Sequence, residues 1–235
     1  MPRSLPGSRS PHGSPQPLIG LRRSIQARQE FGVGFETDRE NGAIKQGFFR
    51  GAVGSVVGQL AKLGGLRAVG IAGGAEKCRY VTEELGFDAC VDYREAQDAK
   101  ELAKRLRAAA PGGVDAHFEN VGGDVLNAVM SLLNPFARVA ICGLISDYNN
   151  DAGAVPRSAI RNPAMFLVAR LKMQGFIVSD HLDLWPQGLT ELGALLLAGK
   201  LKYRESVAND LASAPEAFIG LLRGKNFGKQ VVKLI

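Results

Sequence analysis

Three glycines in the run Gly51-Ala52-Val53-Gly54-Ser55-Val56-Val57-Gly58 are the residues whose type and spacing most directly suggest chemistry. Without Cβ atoms, the backbone at such a turn can approach an anion closely. The helix that follows offers unpaired N–H groups and the positive end of its macrodipole. Phosphate or pyrophosphate is the group such a turn would hold, through Gly51, Ala52, Val53 and Gly54. Glycine clusters also mark plain turns and close helix packing, so the pattern alone leaves both readings open. Val57, Leu60 and Leu63 recur on one helical face and are the expected core-facing residues.

A second chemical signal lies further on. A nucleotide-binding sheet that takes NAD carries Asp or Glu about twenty residues past the glycine turn, against the ribose 2′-hydroxyl. The corresponding stretch here is Ile71-Ala72-Gly73-Gly74-Ala75, with no carboxylate before Glu76, and Lys77 and Arg79 follow at once. A carboxylate would repel a 2′-phosphate and an ammonium would attract it, so NADP(H) is favoured over NAD(H). The alternative is that Lys77 and Arg79 are solvated helix charges.

The elements that must position these residues alternate. After the helix from Gly51 to Gly64-Gly65 come a strand over Leu66–Ala72 and a helix over Ala75–Leu85. A short strand at Ala89–Asp92 and a helix at Asp98–Ala110 follow. Next are a strand at Val114–Phe118, a helix at Val125–Leu133 stopped by Asn134-Pro135, and strands at Arg138–Cys142 and Lys172–Val178. This order predicts an α/β fold, a doubly wound parallel sheet with helices on both faces. The cofactor domain is expected over residues 47–200, with 201–235 a separate C-terminal segment.

Composition narrows the class. The chain has 235 residues, 46% hydrophobic and 22% charged, and a net charge of +6. Lys and Arg are scattered without a basic stripe or aromatic platform, which argues against nucleic acid. No apolar run is long enough for a membrane helix, so a soluble protein is expected, and its cysteine usage points to a cytoplasmic one. Cys78, Cys90 and Cys142 are widely spaced with no CxxC pair; they read as reduced thiols, and no metal site is expected. Residues 1–46 differ from the rest. Met1–Pro17 is rich in Pro, Ser, Gly and Arg and has no acidic residue. Leu18–Gln29 could form a short basic helix. A disordered, foreign leader is the expectation, with a transit peptide as the alternative.

The segments GAVGSVVGQLAKL, GIAGGAEKC, FENVGG, CGLISDYN, QGFIV and GKNFGKQVV, in this order, resemble the medium-chain dehydrogenase/reductase superfamily. They are most similar to its zinc-independent leukotriene/prostaglandin reductase and 2-alkenal reductase branch. The resemblance runs from about Gly51 to the C-terminus. It implies NADPH-dependent reduction of the C=C bond of α,β-unsaturated aldehydes and ketones, a small-molecule enone or enal partner, and a possible homodimer. It places Lys77 at the 2′-phosphate, Tyr93 at the adenosine end and Asn120 beside the cofactor. Cys142, Gly143, Ser146 and Tyr148 would line it towards the nicotinamide. Phe176 and Val178 would hold that ring, and Asn226 would close over it. Tyr148 is the one candidate catalytic residue, a donor to the enolate. Individually, Tyr93 could be a surface tyrosine, Phe176 core, Asn120 a helix cap and Tyr148 a packing residue. His12, His117 and His181 are poor catalytic candidates.

Two departures from the family pattern set further expectations. Nothing in residues 1–46 resembles the family's N-terminal domain, so the chain is expected to be catalytically incomplete, or a non-catalytic cofactor-binding module. The central strand before Gly51 is also altered: Ile44, Phe48 and Phe49 could form it, but Lys45, Gln46 and Arg50 suit a buried strand poorly. In the tail, Val207, Leu211, Phe218, Leu221 and Leu222 are expected to present an apolar face that promotes oligomerisation.

Overall fold

The computed structural model describes residues 45–234, apart from residue 152. The leader over residues 1–44, the helix expected at Leu18–Gln29, His12 and Ile44 lie outside the described residues.

Six parallel strands form one sheet: β1 (Gln46–Arg50), β2 (Arg67–Ala72), β3 (Ala89–Asp92), β4 (Val114–Glu119), β5 (Leu133–Ile141) and β6 (Lys172–Gly175), in the order β3-β2-β1-β4-β5-β6. The helices between them are α1 (Gly51–Leu63), α2 (Ala75–Arg79), α3 (Ala99–Ala109), α4 (Gly123–Met130) and α5 (Ala164–Val168). Beyond the sheet come α6 (Trp185–Leu197) and a parallel pair, β7 (Glu205–Asn209) and β8 (Lys229–Lys233), joined through α7 (Ala214–Leu222). The doubly wound sheet is the one the alternating pattern predicts. Its core includes Phe48, Val69, Ile71, Leu106, Val114, Leu126, Val129 and Val139. Burying side chains of this size contributes roughly 1.5–3 kcal/mol each.

The altered first strand does form, and it is central. Phe48 stands opposite Val69 on one side and His117 on the other. The polar groups at the strand's entrance find partners. The Lys45 and Gln46 backbone N–H groups both donate to Asp115 Oδ2, at 2.9 and 3.1 Å, and the buried Gln46 amide donates to Gly113 O. Phe48 and Phe49 then supply the apolar length of the strand.

Several features differ from the sequence reading. The buried face of α1 is Gly54, Gly58 and Ala61, whereas Leu63 is exposed and Val57 and Leu60 only half-buried. A small-residue ridge lets the helix lie almost on the sheet: a Cβ at Gly54 would stand 3.2 Å from the Phe49 carbonyl carbon, and one at Gly58 would meet the Phe87 ring. The helix expected over Ala75–Leu85 is α-helical only to Arg79 and widens into a π turn over Tyr80–Glu84. Asn134-Pro135, read as a helix stop, lies inside β5, where the register with β4 slips and Phe136 adopts φ 64°. The slip is held by the Phe136 N–H donating to Ala169 O at 2.7 Å and by the Arg170 guanidinium over the Phe136 ring. Finally, β6 ends at Gly175, so Phe176 and Ile177 lie beyond the strand.

Candidate functional site

Because all six strands run parallel, their C-terminal ends share one edge, and the chain reverses its winding between β1 and β4. Ligands of open α/β sheets bind outside such a switch point. Gly51 opens α1 there with φ 74°, and nothing lies within 4 Å of where its Cβ would be. Ala52 is half-buried, Val53 exposed and Gly54 packed against Phe49, so the turn presents Gly51–Val53 outward. The first turn of α1 contains no acidic residue. Its 13 residues make it long enough for the macrodipole to favour an anion.

At the ends of β2 and β3 a second cluster assembles. Gly74 caps α2 with φ 99° and no side-chain bond. The Lys77 Nζ donates to Gly224 O at 2.7 Å, drawing the tail onto α2. Tyr93 lies against Gly73, where a Cβ would come within 2.9 Å of its hydroxyl, and the Arg94 guanidinium borders Gly73, Gly74 and Gly224. Sequence reasoning passed over Arg94, although its place next to Tyr93 was the available signal. Asn226 bonds back to Gly228 O at 2.7 Å in the same tail segment.

At the ends of β4 and β5, Asn120 follows the last residue of the strand and its amide fills the space beside Gly143. It does not cap α4, whose cap is Gly122. The Cys142 N–H donates to Glu119 O at 2.8 Å, and Ser146 N–H to Val121 O at 2.8 Å. The Ser146 hydroxyl also meets that of Ser158 at 3.2 Å. Tyr148 closes the short turn Ile145–Asp147 and is 66% exposed. Phe176 packs at 6.3 Å from the Phe118 ring, while Val178 is exposed. The edge therefore gathers Gly51, Asn120, Cys142, Gly143 and Phe176 at strand ends, and Lys77, Tyr93 and the Gly224 turn at the β2–β3 corner.

Beneath this edge lies a buried pair that sequence reading missed as a site element. His117 and Glu119 are each 1% exposed on β4. His117 Nε2 meets Glu119 Oε2 at 3.0 Å, and Nδ1 meets Phe48 O at 3.2 Å. Glu119 Oε1 accepts from the Val121 and Gly122 N–H groups at 2.5 and 2.9 Å. Burial would raise the Glu119 carboxyl, but the bond and charge of His117, joined by these two N–H groups, outweigh it and hold it down to about 2. One ring nitrogen meets the Phe48 carbonyl of β1 and the other the Glu119 carboxylate of β4, so the imidazole bridges the two strands. The pair thus ties β1 to β4 and shapes the turn that begins with Asn120. Among the described residues no group of three or more His, Cys, Asp or Glu side chains is placed to hold a metal. None of the described helices is long and apolar enough to cross a membrane.

Comparison with known proteins matches residues 52–194 to the family model described as zinc-binding dehydrogenase. The chain is 47% identical over 188 residues to the NADPH-dependent curcumin reductase of Escherichia coli (strain K12), covering 78% of this chain and 53% of that protein. It is 42% identical over 182 residues to the 2-alkenal reductase (NADP(+)-dependent) of Nicotiana tabacum, covering 77% and 51%. The crystal structure of CurA in complex with NADPH from Vibrio vulnificus superimposes with a TM-score of 0.75 at 40% identity, covering 90% of this chain and 62% of that one. The chain spans about half the length of the curated relatives it matches.

Proposed function

Since this chain belongs to the zinc-binding dehydrogenase family, in the alkenal and prostaglandin reductase branch of the medium-chain dehydrogenase/reductase superfamily, we propose that it binds NADP(H) and serves reduction of the C=C bond of α,β-unsaturated aldehydes or ketones. The observation that carries the reading is the shared sheet edge. An open glycine turn stands at its middle, after β1, and towards the β2–β3 side is a basic corner with no carboxylate at the end of β2. A 13-residue helix opening on Gly51 fits a pyrophosphate, and Lys77 with Arg94 fits a phosphate on the ribose.

When bound, NADPH supplies a hydride to the β-carbon of the conjugated substrate, and negative charge then gathers on the carbonyl oxygen. The protein's part is to hold and to exclude. Gly51, Ala52, Val53 and Gly54 would seat the pyrophosphate, Lys77 and Arg94 the 2′-phosphate, and Tyr93 the adenosine end. Asn120, Cys142, Gly143 and Ser146 would line the middle of the cofactor, Phe176 and Val178 would flank the nicotinamide, and Asn226 would close the tail over the site. Tyr148 would donate its phenolic proton towards the developing oxyanion, which lowers the barrier only if the donor is held in place.

A second reading is favoured by Tyr148 itself, which stands 66% exposed at the edge. With its only candidate donor open to water, the chain would bind the cofactor without turning over substrate. Two measurements separate these readings. Fluorescence titration is expected to show NADPH binding more tightly than NADH, with Lys77→Ala narrowing the gap; equal affinities in the unmutated chain would overturn the cofactor assignment. NADPH oxidation with a conjugated enone, followed by absorbance, then decides turnover. A rate within about 1–1,000 per second supports the reductase, and binding without oxidation supports the second reading.

A further inference from the structure

Two thiols stand together beside the proposed phosphate-binding lysine. Cys78 follows Lys77 on α2, Cys90 lies in β3, and the Cys90 thiol donates to Cys78 with the sulfurs 3.0 Å apart. Gly70 on β2 makes the room, since a Cβ there would lie 3.1 Å from Cys90 Sγ and 2.6 Å from the Val81 side chain. The two sulfurs differ in character. The hydrogen bond from Cys90 lowers the Cys78 thiol against the opposing effects of burial and nearby Asp92 and Glu95. Donating that bond, and burial, push the Cys90 thiol up. Both thiols of the pair are half-buried rather than sealed in the core. The arrangement is that of an attacking thiolate with a resolving thiol behind it. Cys142, at the far side of the edge, is raised by burial and has no such neighbour in the pair.

We propose that Cys78 and Cys90 form a reversible disulfide on exposure to hydroperoxides, and that this bond weakens NADP(H) binding at the 2′-phosphate end. The second half rests on the cofactor reading above. In the first step the Cys78 thiolate attacks the terminal oxygen of the hydroperoxide. The O–O bond breaks, and the departing alkoxide or hydroxide takes a proton from solvent, leaving Cys78 as a sulfenic acid. Cys90 then attacks that sulfur, the S–O bond breaks, and the departing hydroxide takes the Cys90 proton as water. Two thiols and one hydroperoxide become one disulfide, one alcohol (or water) and one water. A disulfide bond is about 2.05 Å long, so the sulfurs draw in by roughly 1 Å from their present contact. Lys77 sits in the same turn, with its ammonium 2.7 Å from Gly224 O. Charge-assisted hydrogen bonds are strongest near about 2.7–2.9 Å, so movement of this turn weakens the ammonium's hold on a bound phosphate. By linkage, bound NADPH shifts the thiol–disulfide equilibrium towards the reduced pair.

The full chain is reduced, desalted and treated with hydrogen peroxide. Intact mass is expected to fall by about 2 Da, for two hydrogens lost, and titratable thiols to fall from three to one. Peptide mapping should join Cys78 to Cys90. The oxidised chain should bind NADPH about fivefold more weakly or worse, the lower edge of ordinary coupling, with a smaller change for NADH and recovery on adding dithiothreitol. Cys78→Ser should abolish both the mass change and the affinity change, and Cys90→Ser should replace the loss of about 2 Da with oxygen added at Cys78. Added oxygen in place of lost hydrogen in the unmutated chain would overturn the proposal, as would a disulfide that leaves the NADPH-to-NADH ratio unchanged. A reduced chain that binds no NADPH overturns the cofactor reading and the coupling together. The mass and thiol count still decide the disulfide on their own.

Discussion

At the scale of single residues, the most consequential group is one the sequence reading set aside. His117 lies in the strand expected over Val114–Phe118 and is a poor catalytic candidate, while its partner Glu119 falls one residue past that expected strand, in FENVGG. Two residues apart on a strand, their side chains share a face, and only the position of β1 explains why both are wanted. The carboxyl is held at about 2, below its ordinary value near 4.3. Its contribution to stability is therefore complete above about pH 4.3 and is lost as pH falls towards 2. Denaturant unfolding at pH 7 and at about pH 3 should show this loss in the unmutated chain. Glu119→Gln should lower stability by about 1–3 kcal/mol at pH 7, because one amide cannot serve both His117 and the two backbone N–H groups, and should flatten the acid dependence. An unchanged acid limb in that variant would show that another carboxylate carries it.

At the scale of elements, α1 shows why periodicity misassigned a face. Val57, Leu60 and Leu63 recur as an apolar stripe should, yet the sheet lies against Gly54, Gly58 and Ala61. Close approach, rather than apolar area, decides the orientation here: Gly58 lies under the Phe87 ring, which itself meets Phe49 edge-on at 6.1 Å between centroids. Gly58→Val should therefore lower thermal stability by the roughly 1–3 kcal/mol typical of overpacking, whereas Leu63→Ala, on the exposed side, should change it by less than about 0.5 kcal/mol. Thermal melts of the two variants check the assignment. The π turn over Tyr80–Glu84 belongs to the same theme, because it seats the tail. The Tyr80 ring meets Phe227 edge-on, and Arg204 stacks 3.9 Å from the Phe227 centroid. Gln59 on α1 holds Lys202 by both its backbone groups, at 2.8 and 2.9 Å.

At the scale of the whole molecule, the described residues beyond the sheet keep much apolar surface in water. Val207, Leu211 and Phe218 are exposed as expected from the sequence, Leu221 and Leu222 are half-buried, and α6 adds Leu189 and Leu197, the last 92% exposed. Exposed apolar area of this kind drives association. Light scattering across a micromolar concentration series is expected to show self-association, and Leu211→Ser with Phe218→Ser to reduce it. A monomer at all concentrations in the unmutated chain would count against the prediction.

The sequence by itself determined the class of fold, the alternation of strands and helices from Gly51 to β6, and the family. Each of those is written in local signals: glycine turns, apolar runs of strand length, and motifs kept in order. Tertiary structure alone decided the rest. Whether Gln46–Arg50 could be a central strand depended on Asp115 and Gly113, far along the chain, receiving its polar groups. Bringing Arg94 and Gly224 to the lysine at position 77, and pairing Cys78 with Cys90, required strands β2 and β3 to end side by side. Hydrogen bonds and close contacts join residues distant in sequence, and no local pattern records them until the backbone has brought them together.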